Sequence, residues 1–350
     1  MDERLSFLRA EKPSSLPIPC SFVHQVPNAC GEVELNYWPA KRVSSKAPDH
    51  LILFILGNPG LLGYYPPFLN HLYSLLPSSY AILATSHIGH SITIPSPKDP
   101  LDLPQQLESK IELVQTLKHY LDEWSKENGD SQPKISLMGH SVGAWLSCEI
   151  MKSLNTDSNS KNWPIQRGFL LFPTLGWISN TWNGWTLWPI FHRPVKPLLP
   201  LLSPLLRPLL PYIPLPPTSI SLVNSPEVIK HVLHLSKSEM QLIRDPNINW
   251  FESQAIEDRQ KGLFGIWAGG NLDGWVGKDG PLVQEALGGE EGGRVRKLKG
   301  IPHAFCLTQE NSEIVAEMVA KWIDPSSHAK SNGIAHHHED GTMGEGVMPM

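Results

Sequence analysis

Short apolar runs recur along this chain, and segments with helical spacing separate them. The runs are LILFILG (51–57), YAILATS (80–86), KISLMGHS (134–141), RGFLLFPT (167–174) and GLFGIWAG (262–269), and the basic segment RVRKLKG (294–300) is predicted to be the last strand. The helical segments are 66–76, 103–126, 142–154, 281–286 and 311–323. Continuous apolar runs of this length indicate strands buried on both faces. Because such strands alternate with helices, the sequence predicts an α/β fold with a mostly parallel, doubly wound sheet. An antiparallel hairpin over 18–24 and 32–39 is predicted to precede it.

The alternation of strands and helices stops between Gly176 and about Asp245, a stretch that is rich in proline and leucine. We therefore predict one α/β domain over residues 1–324, in which 176–245 is an insertion between two parts of the sheet. The polar, glycine-rich segment 325–350 is predicted to be a disordered tail. Its histidine run at 336–338 is predicted to be solvated rather than a metal site.

Composition excludes some classes of partner. The 350 residues carry a formal net charge of −5, whereas binding to nucleic acid needs a basic face.

The N-terminal MDERLSFLRAEKP has no apolar core of signal-peptide length, so we expect no secretion signal. Four scattered cysteines favour a reduced chain, although Cys20 and Cys30 could pair across the hairpin in an oxidising compartment.

The turn GHSVG at 139–143 follows a predicted strand and precedes a predicted helix, which is the setting of a nucleophile elbow. Gly139 and Gly143 lack a β-carbon, so the chain segments on either side of the turn can approach closely. Ser141 would then lie at the carboxyl edge of the sheet and at a helix N-terminus, where free N–H groups favour negative charge. The pattern predicts a nucleophile, with a plain packing turn as the alternative.

A serine nucleophile needs a base, and the base needs an acid that orients it. In α/β-hydrolases these groups follow in the order serine, acid, histidine, on loops after late strands. Asp273 follows the penultimate predicted strand and His303 follows the last one, so they are the predicted acid and base. Asp279 is a rival acid further from the strand end. His140 is expected to point away along the turn.

Acyl transfer also needs backbone donors for an oxyanion. The N–H of Val142, directly after the nucleophile, is one predicted donor. The second should come from the GNPG loop after the first parallel strand, where Pro59 has no N–H. The N–H of Asn58 is the preferred donor, with Gly60 or Leu61 as alternatives.

Several of these motifs together resemble the lipid droplet-associated hydrolases, which are α/β-hydrolase relatives of serine esterases and lipases. Over about residues 50–322 the shared motifs are GNPG, YY, SHIGHS, GHSVGAW, LFPT, LDGW and PHAF. The resemblance implies Ser141 as nucleophile, Asp273 as acid and His303 as base. It also implies association with lipid droplets or the cytoplasmic face of the endoplasmic reticulum. His87 and His90 lie in SHIGHS and are predicted to form pocket wall or loop structure.

The insertion contains PLLPLLSPLLRPLLP at 197–211. Its prolines and charges are incompatible with a simple membrane-spanning helix. We predict a lid that inserts shallowly into a lipid surface, with leucines among acyl chains and tryptophans at the headgroup level. The alternative is a cap whose leucines fold over the substrate pocket. The residues predicted to contact lipid are Trp185, Trp188, Leu198, Leu199, Leu201, Leu202, Leu205, Leu206, Leu209 and Leu210.

The sequence therefore predicts a serine hydrolase of lipid esters, either sterol esters or acylglycerols. We expect it to act on neutral lipid at the lipid droplet surface, in storage and turnover, without a metal or an organic cofactor. The alternative hypothesis is a lipid droplet-binding factor that controls lipid storage with little hydrolytic activity.

Overall fold

The computed structural model describes residues 3–10, 15–42, 46–156, 165, 167–270, 272–277 and 279–325, and these residues contain a nine-stranded sheet. The strands are β1 (Arg9–Ala10), β2 (Ile18–His24), β3 (Gly31–Trp38), β4 (His50–Ile55), β5 (Tyr80–Thr85), β6 (Lys134–His140), β7 (Arg167–Leu171), β8 (Gly262–Ala268) and β9 (Val295–Leu298). Their order across the sheet is β1-β2-β3-β5-β4-β6-β7-β8-β9.

The sheet is antiparallel at one edge and parallel elsewhere. β1, β2, β3 and β5 pair antiparallel, whereas β5, β4, β6, β7, β8 and β9 pair parallel in that order. The predicted mostly parallel sheet and its preceding hairpin are therefore confirmed. β1 is new, since two residues are too few to leave a pattern. β7 ends three residues earlier than predicted because Phe172 takes a positive φ of 46°.

Helices cover both faces of the sheet, and further helices form the insertion. They are α1 (Pro66–Leu75), α2 (Leu103–Glu127), α3 (Val142–Thr156), α4 (Trp182–Thr186), α5 (Val195–Leu202), α6 (Pro217–Val223), α7 (Pro226–Leu242), α8 (Ile248–Ser253), α9 (Asp279–Ala286) and α10 (Gln309–Ile323). α1, α2, α3, α9 and α10 lie within two residues of their predicted bounds. The short α8 was not predicted.

Alternate residues of the central strand β4 enter two different cores. Leu51 and Leu53 join the cluster that includes residues of α2 and α3. Ile52 and Phe54 join the cluster that includes residues of α1 and α10. Because both faces of β4 are covered, its sequence is continuously apolar.

The insertion is helical over much of its length, although no helix was predicted there. Between α5 and α6, residues Ser203–Tyr212 form a 3-10 helix. Pro197 lies in the first turn of α5, where the backbone N–H has no intrahelical acceptor in any case. Repeated prolines thus shorten the helical pieces without preventing them. Within the described ranges, no helix combines the length and apolar character needed to cross a membrane.

Two minor expectations concern the cysteines and the tail. Cys20 is buried in β2 and Cys30 is exposed before β3, and both are free thiols, so the alternative disulfide is absent. The predicted tail and its histidine run lie outside the described residues apart from Pro325.

Asp102 caps the long helix α2. Its Oδ1 accepts the Gln105 N–H at 3.0 Å, and its own N–H donates to Gln105 Oε1 at 2.9 Å. Asp102→Ala should lower the free energy of unfolding by about 1 kcal/mol in urea denaturation, because the cap is lost. Asp99→Ala removes an exposed carboxylate three residues earlier and should change little. Equal losses in both variants would contradict this role of the cap.

Candidate active site

Ser141 lies on a tight turn between β6 and α3. Its φ is +55°, a left-handed conformation that is strained for a side chain with a β-carbon. The turn closes only because two glycines flank it. A β-carbon on Gly139 would lie 2.1 Å from the Gly143 oxygen, and one on Gly143 would lie 2.1 Å from the Ile55 oxygen. The turn therefore packs directly against the end of β4 and holds Ser141 at the carboxyl edge of the sheet.

Ser141, His303 and Asp273 form a chain of hydrogen bonds. Ser141 Oγ lies 3.0 Å from His303 Nε2, and His303 Nδ1 lies 2.8 Å from Asp273 Oδ2. A carboxylate oxygen accepts, so Nδ1 carries the imidazole proton and Nε2 accepts from the serine hydroxyl. The other oxygen, Asp273 Oδ1, accepts the Trp275 N–H at 2.9 Å. The Asp273 side chain is 5% exposed, and that of His303 is 15% exposed.

Asp279, the rival acid, lies elsewhere. It is the first residue of α9, is buried, and contacts Gly176 rather than His303. In the described part of the chain its Oδ2 has no hydrogen-bond partner. The structure thus brings Asp273, and not Asp279, to the histidine.

His140 does not point away from the site as expected. Its ring lies 5.1 Å from that of His303, and its Nε2 donates to the His303 carbonyl oxygen at 3.0 Å. Tyr65 donates its hydroxyl to His140 Nδ1 at 2.8 Å and accepts the Gly57 N–H at 3.2 Å. Burial lowers the pKa of His140 to about 3, so the ring is neutral and has one N–H to donate. His140 and Tyr65 therefore fix the backbone of His303, which sequence patterns did not indicate.

The loop after β4 packs against the nucleophile. A β-carbon on Gly57 would lie 3.0 Å from the Ser141 Cβ. The Asn58 side-chain amide faces α7, where it donates to Ser236 Oγ and Glu239 Oε1, each at 2.8 Å. Within the described chain, the backbone N–H groups of Asn58 and Val142 have no acceptor. Neither predicted oxyanion donor is therefore used in a hydrogen bond within the described chain. Val142 follows Ser141 directly, and the loop that carries Asn58 packs against Ser141.

His87 and His90 are buried behind this loop and hold it in place. His87 Nε2 donates to the Leu56 oxygen at 3.0 Å, and His90 Nδ1 donates to the Pro59 oxygen at 2.8 Å. Burial lowers the pKa of both, that of His90 to about 3. His87 and His90 therefore support the loop after β4, as one of the two expectations had it, and they are not among the residues that line the cavity at Ser141.

Ser141 and His303 line a cavity of about 390 Å³, a volume typical of small-molecule sites. The insertion roofs this cavity with mainly apolar side chains, among them Ile178, Phe191, Leu222, Val232 and Met240. α7 also contributes Glu239, whose pKa burial raises to about 8, against a smaller opposing effect of the Asn58 hydrogen bond. Below that pH the cavity contains a neutral carboxyl group.

The residues predicted to contact lipid divide into three groups. The exposed members are Trp185, Trp188, Leu198, Leu201, Leu202 and Leu205. Leu210 is 5% exposed, and half-buried Leu199 packs against a cluster that includes Phe191. For these two the expectation is corrected, because their side chains face protein in this conformation. The side chains of Leu206 and Leu209 lie outside the description. Trp182 and Tyr212, at 71% and 85% exposure, belong to the exposed surface as well.

Serine, aspartate and histidine follow in that order along the chain, each after a parallel strand, and the protein has the α/β-hydrolase fold. Residues 48–306 match the family described as lipid-droplet associated hydrolase, and the chain belongs to this family. The resemblance predicted from the motifs is thereby confirmed.

Two relatives agree with this assignment, and a solved structure agrees with the fold. The chain is 34% identical over 142 residues to the lipid droplet-associated hydrolase of Mus musculus, covering 39% of this chain and 41% of that one. It is 31% identical over 175 residues to that of Rattus norvegicus, covering 46% and 51%. The chain thus matches about half or less of these relatives' length. A bacterial membrane phospholipase A has a TM-score of 0.54 at 14% identity, covering 92% of this chain and 87% of that one, which is a likeness of fold.

Glu239 should make stability fall as pH rises. Its carboxyl stays protonated to about pH 8 when folded, but ionises near its ordinary value of 4.5 when unfolded. The resulting stabilisation is complete below pH 4.5 and is lost as pH rises to about 8, by up to about 5 kcal/mol. Glu239→Gln keeps an oxygen for Asn58 but does not titrate, so this part of the loss should disappear in urea unfolding at pH 5 and pH 8.

Glu252→Gln is the matched control, since Glu252 is exposed on α8. It should follow the wild-type pH profile. If Glu239→Gln and Glu252→Gln have the same pH dependence, the protonated state of Glu239 is refuted.

Proposed function

We propose that this protein is a serine hydrolase of lipid esters, sterol esters or acylglycerols, that acts at the lipid droplet surface. The observation that carries the proposal is the hydrogen-bonded series in which Ser141 Oγ lies 3.0 Å from His303 Nε2 and His303 Nδ1 lies 2.8 Å from Asp273 Oδ2. Ser141 and His303 line a mainly apolar cavity. Membership of a lipid-droplet associated hydrolase family supports a lipid as the class of substrate.

In the proposed reaction, Ser141 Oγ attacks the ester carbonyl carbon while His303 Nε2 takes the hydroxyl proton. Asp273 holds the imidazole tautomer and stabilises the imidazolium that forms. The N–H groups of Asn58 and Val142 donate to the oxyanion, where a single such donor is worth about 10²–10³ in rate. His303 then gives the proton to the leaving alcohol. Water repeats the sequence on the acyl-enzyme and releases the fatty acid.

The proposed working surface is the droplet monolayer or the cytoplasmic face of the endoplasmic reticulum. Its support is the exposed apolar set on the insertion, in which Trp185, Leu201 and Leu205 are each at least 70% exposed. Contiguous apolar exposure of this kind marks interaction with lipid or protein. Tryptophan and leucine in this arrangement suit the headgroup and acyl regions of a monolayer.

The same surface favours a second candidate function, a lipid droplet-binding factor with little hydrolytic activity. Lipid binding through the insertion does not require the serine. A droplet-storage effect that survives Ser141→Ala in cells would favour this candidate over hydrolysis.

Labelling with a fluorophosphonate probe tests the nucleophile. Wild-type protein should be labelled, and labelling should increase with a triolein emulsion if a lipid surface opens the roof. Ser141→Ala should abolish labelling. Ser219→Ala is the matched control, because Ser219 lines the same cavity and contacts Tyr64 instead. Wild-type protein that stays unlabelled both with and without emulsion would overturn the esterase proposal.

The two acids give a second test. Asp273→Asn should lower kcat for a soluble p-nitrophenyl ester by about 10⁴, because the amide favours the wrong histidine tautomer. Asp279→Asn, at the buried rival position, should keep kcat within a few-fold. The reverse ranking would show that Asp273 does not orient His303.

A further inference from the structure

A second cavity, of about 880 Å³, lies on the outer side of the insertion between α5, α7 and the start of α2. Phe191 lines both this cavity and the one at Ser141, so the two cavities meet at this residue. The proposed hydrolysis does not use this second cavity.

Three lysines and a histidine gather in this outer cavity. α7 contributes Lys230, His234 and Lys237, which are spaced by about one helical turn, and α5 contributes Lys196 from the opposite side. All four are half-buried. Burial, and then the neighbouring Lys237, lowers the pKa of Lys196. Burial, and then the neighbouring Lys196, lowers the pKa of His234. These groups are therefore close enough to repel one another. Arg193 adds a further cation at the exposed rim.

The acidic groups of the cavity compensate these charges only in part. Asp102 is hydrogen-bonded to Gln105 as the cap of α2, and it also raises the pKa of His234 against the larger lowering by burial and Lys196. Glu227 is 75% exposed and lies 4.0 Å from Lys230, which also donates to the Lys98 oxygen. In the described part of the chain, neither Lys196 nor Lys237 has a carboxylate within ion-pair distance. Placing such cations together away from bulk water costs free energy that a bound anion would offset.

The rim of the cavity is apolar. Leu201 and Leu242 line it and are 72% and 46% exposed. Leu201 continues into the exposed leucine surface of the insertion, which includes Leu198 and Leu205. A ligand that fits has an anionic head for the lysines and an apolar tail for the rim. Phosphate suits lysine, which acts as a point charge toward it. A neutral lipid ester lacks the charge, so it fits the cavity at Ser141 better than this one.

We propose that this cavity binds the phosphate headgroup of an anionic phospholipid, with the acyl chains along the exposed leucines. The site would orient the insertion on a phospholipid surface, with the Ser141 cavity adjoining it at Phe191. It does not depend on hydrolysis at Ser141.

Vesicle flotation with the purified full chain tests the site. The vesicles are phosphatidylcholine alone or phosphatidylcholine mixed with phosphatidic acid. Wild-type protein should prefer the mixed vesicles, and Lys196→Gln/Lys237→Gln should weaken that binding by about 25-fold or more, given about fivefold for each lysine at an anionic surface. Arg207→Gln is the control, since Arg207 is an exposed cation of the same insertion outside the cavity. A loss per removed charge no larger than that in Arg207→Gln would overturn the proposal.

Three further measurements keep the outcome interpretable. Without lipid, the double variant should have an equal or higher Tm, because like-charge repulsion is removed; a lower Tm would indicate a structural role for the lysines. Inorganic phosphate should raise the wild-type Tm only weakly and should compete poorly with vesicles. Strong stabilisation by phosphate without vesicle binding would assign the cavity to a soluble phosphate and overturn the lipid assignment. Ser141→Ala should bind the mixed vesicles like wild type, so loss of hydrolysis is distinguishable from loss of this site.

Discussion

The close approach of three backbone segments around Ser141 is the constraint on which the rest of the site depends. Gly57, Gly139 and Gly143 occupy the contacts between the end of β4 and the turn into α3, and a β-carbon at any of them would lie within about 3 Å of neighbouring atoms. Without this contact, the strained serine would have no fixed position. The loop that carries Asn58 would also lose its support against the nucleophile. The glycines therefore set the geometry to which His303 and Asp273 must conform.

Residues whose position follows from the sheet could be predicted from the sequence. Continuous apolar runs such as 51–57 are buried on both faces, and a parallel sheet brings the ends of such strands to one edge. Ser141, Asp273 and His303 each follow such a strand, so their meeting at that edge could be predicted. Asp273 was preferred to Asp279 because it lies closer to the end of the strand, and the loop after β8 brings its Oδ2 to 2.8 Å from His303 Nδ1.

Residues whose position depends on tertiary packing could not be predicted. His140 is the last residue of the buried strand β6, and nothing local indicates that its ring lies beside His303 and accepts the Tyr65 hydroxyl. In the insertion, the leucine repeat marks apolar surface but not which side chains face the protein. Leu201 is exposed on α5, which packs against α7, whereas Leu210 is buried in the 3-10 helix, which packs against α5 and α6. That packing has no counterpart in the repeat.

The hydrogen bonds between Asn58 and α7 have a consequence for engineering and for divergence. Asn58 belongs to the sheet part of the chain, whereas Ser236 and Glu239 belong to the insertion. An insertion transplanted from another hydrolase would leave the Asn58 amide without these acceptors, next to the nucleophile. Substitutions in α7 and in the loop after β4 should therefore be compensatory, so this roof is not an exchangeable module.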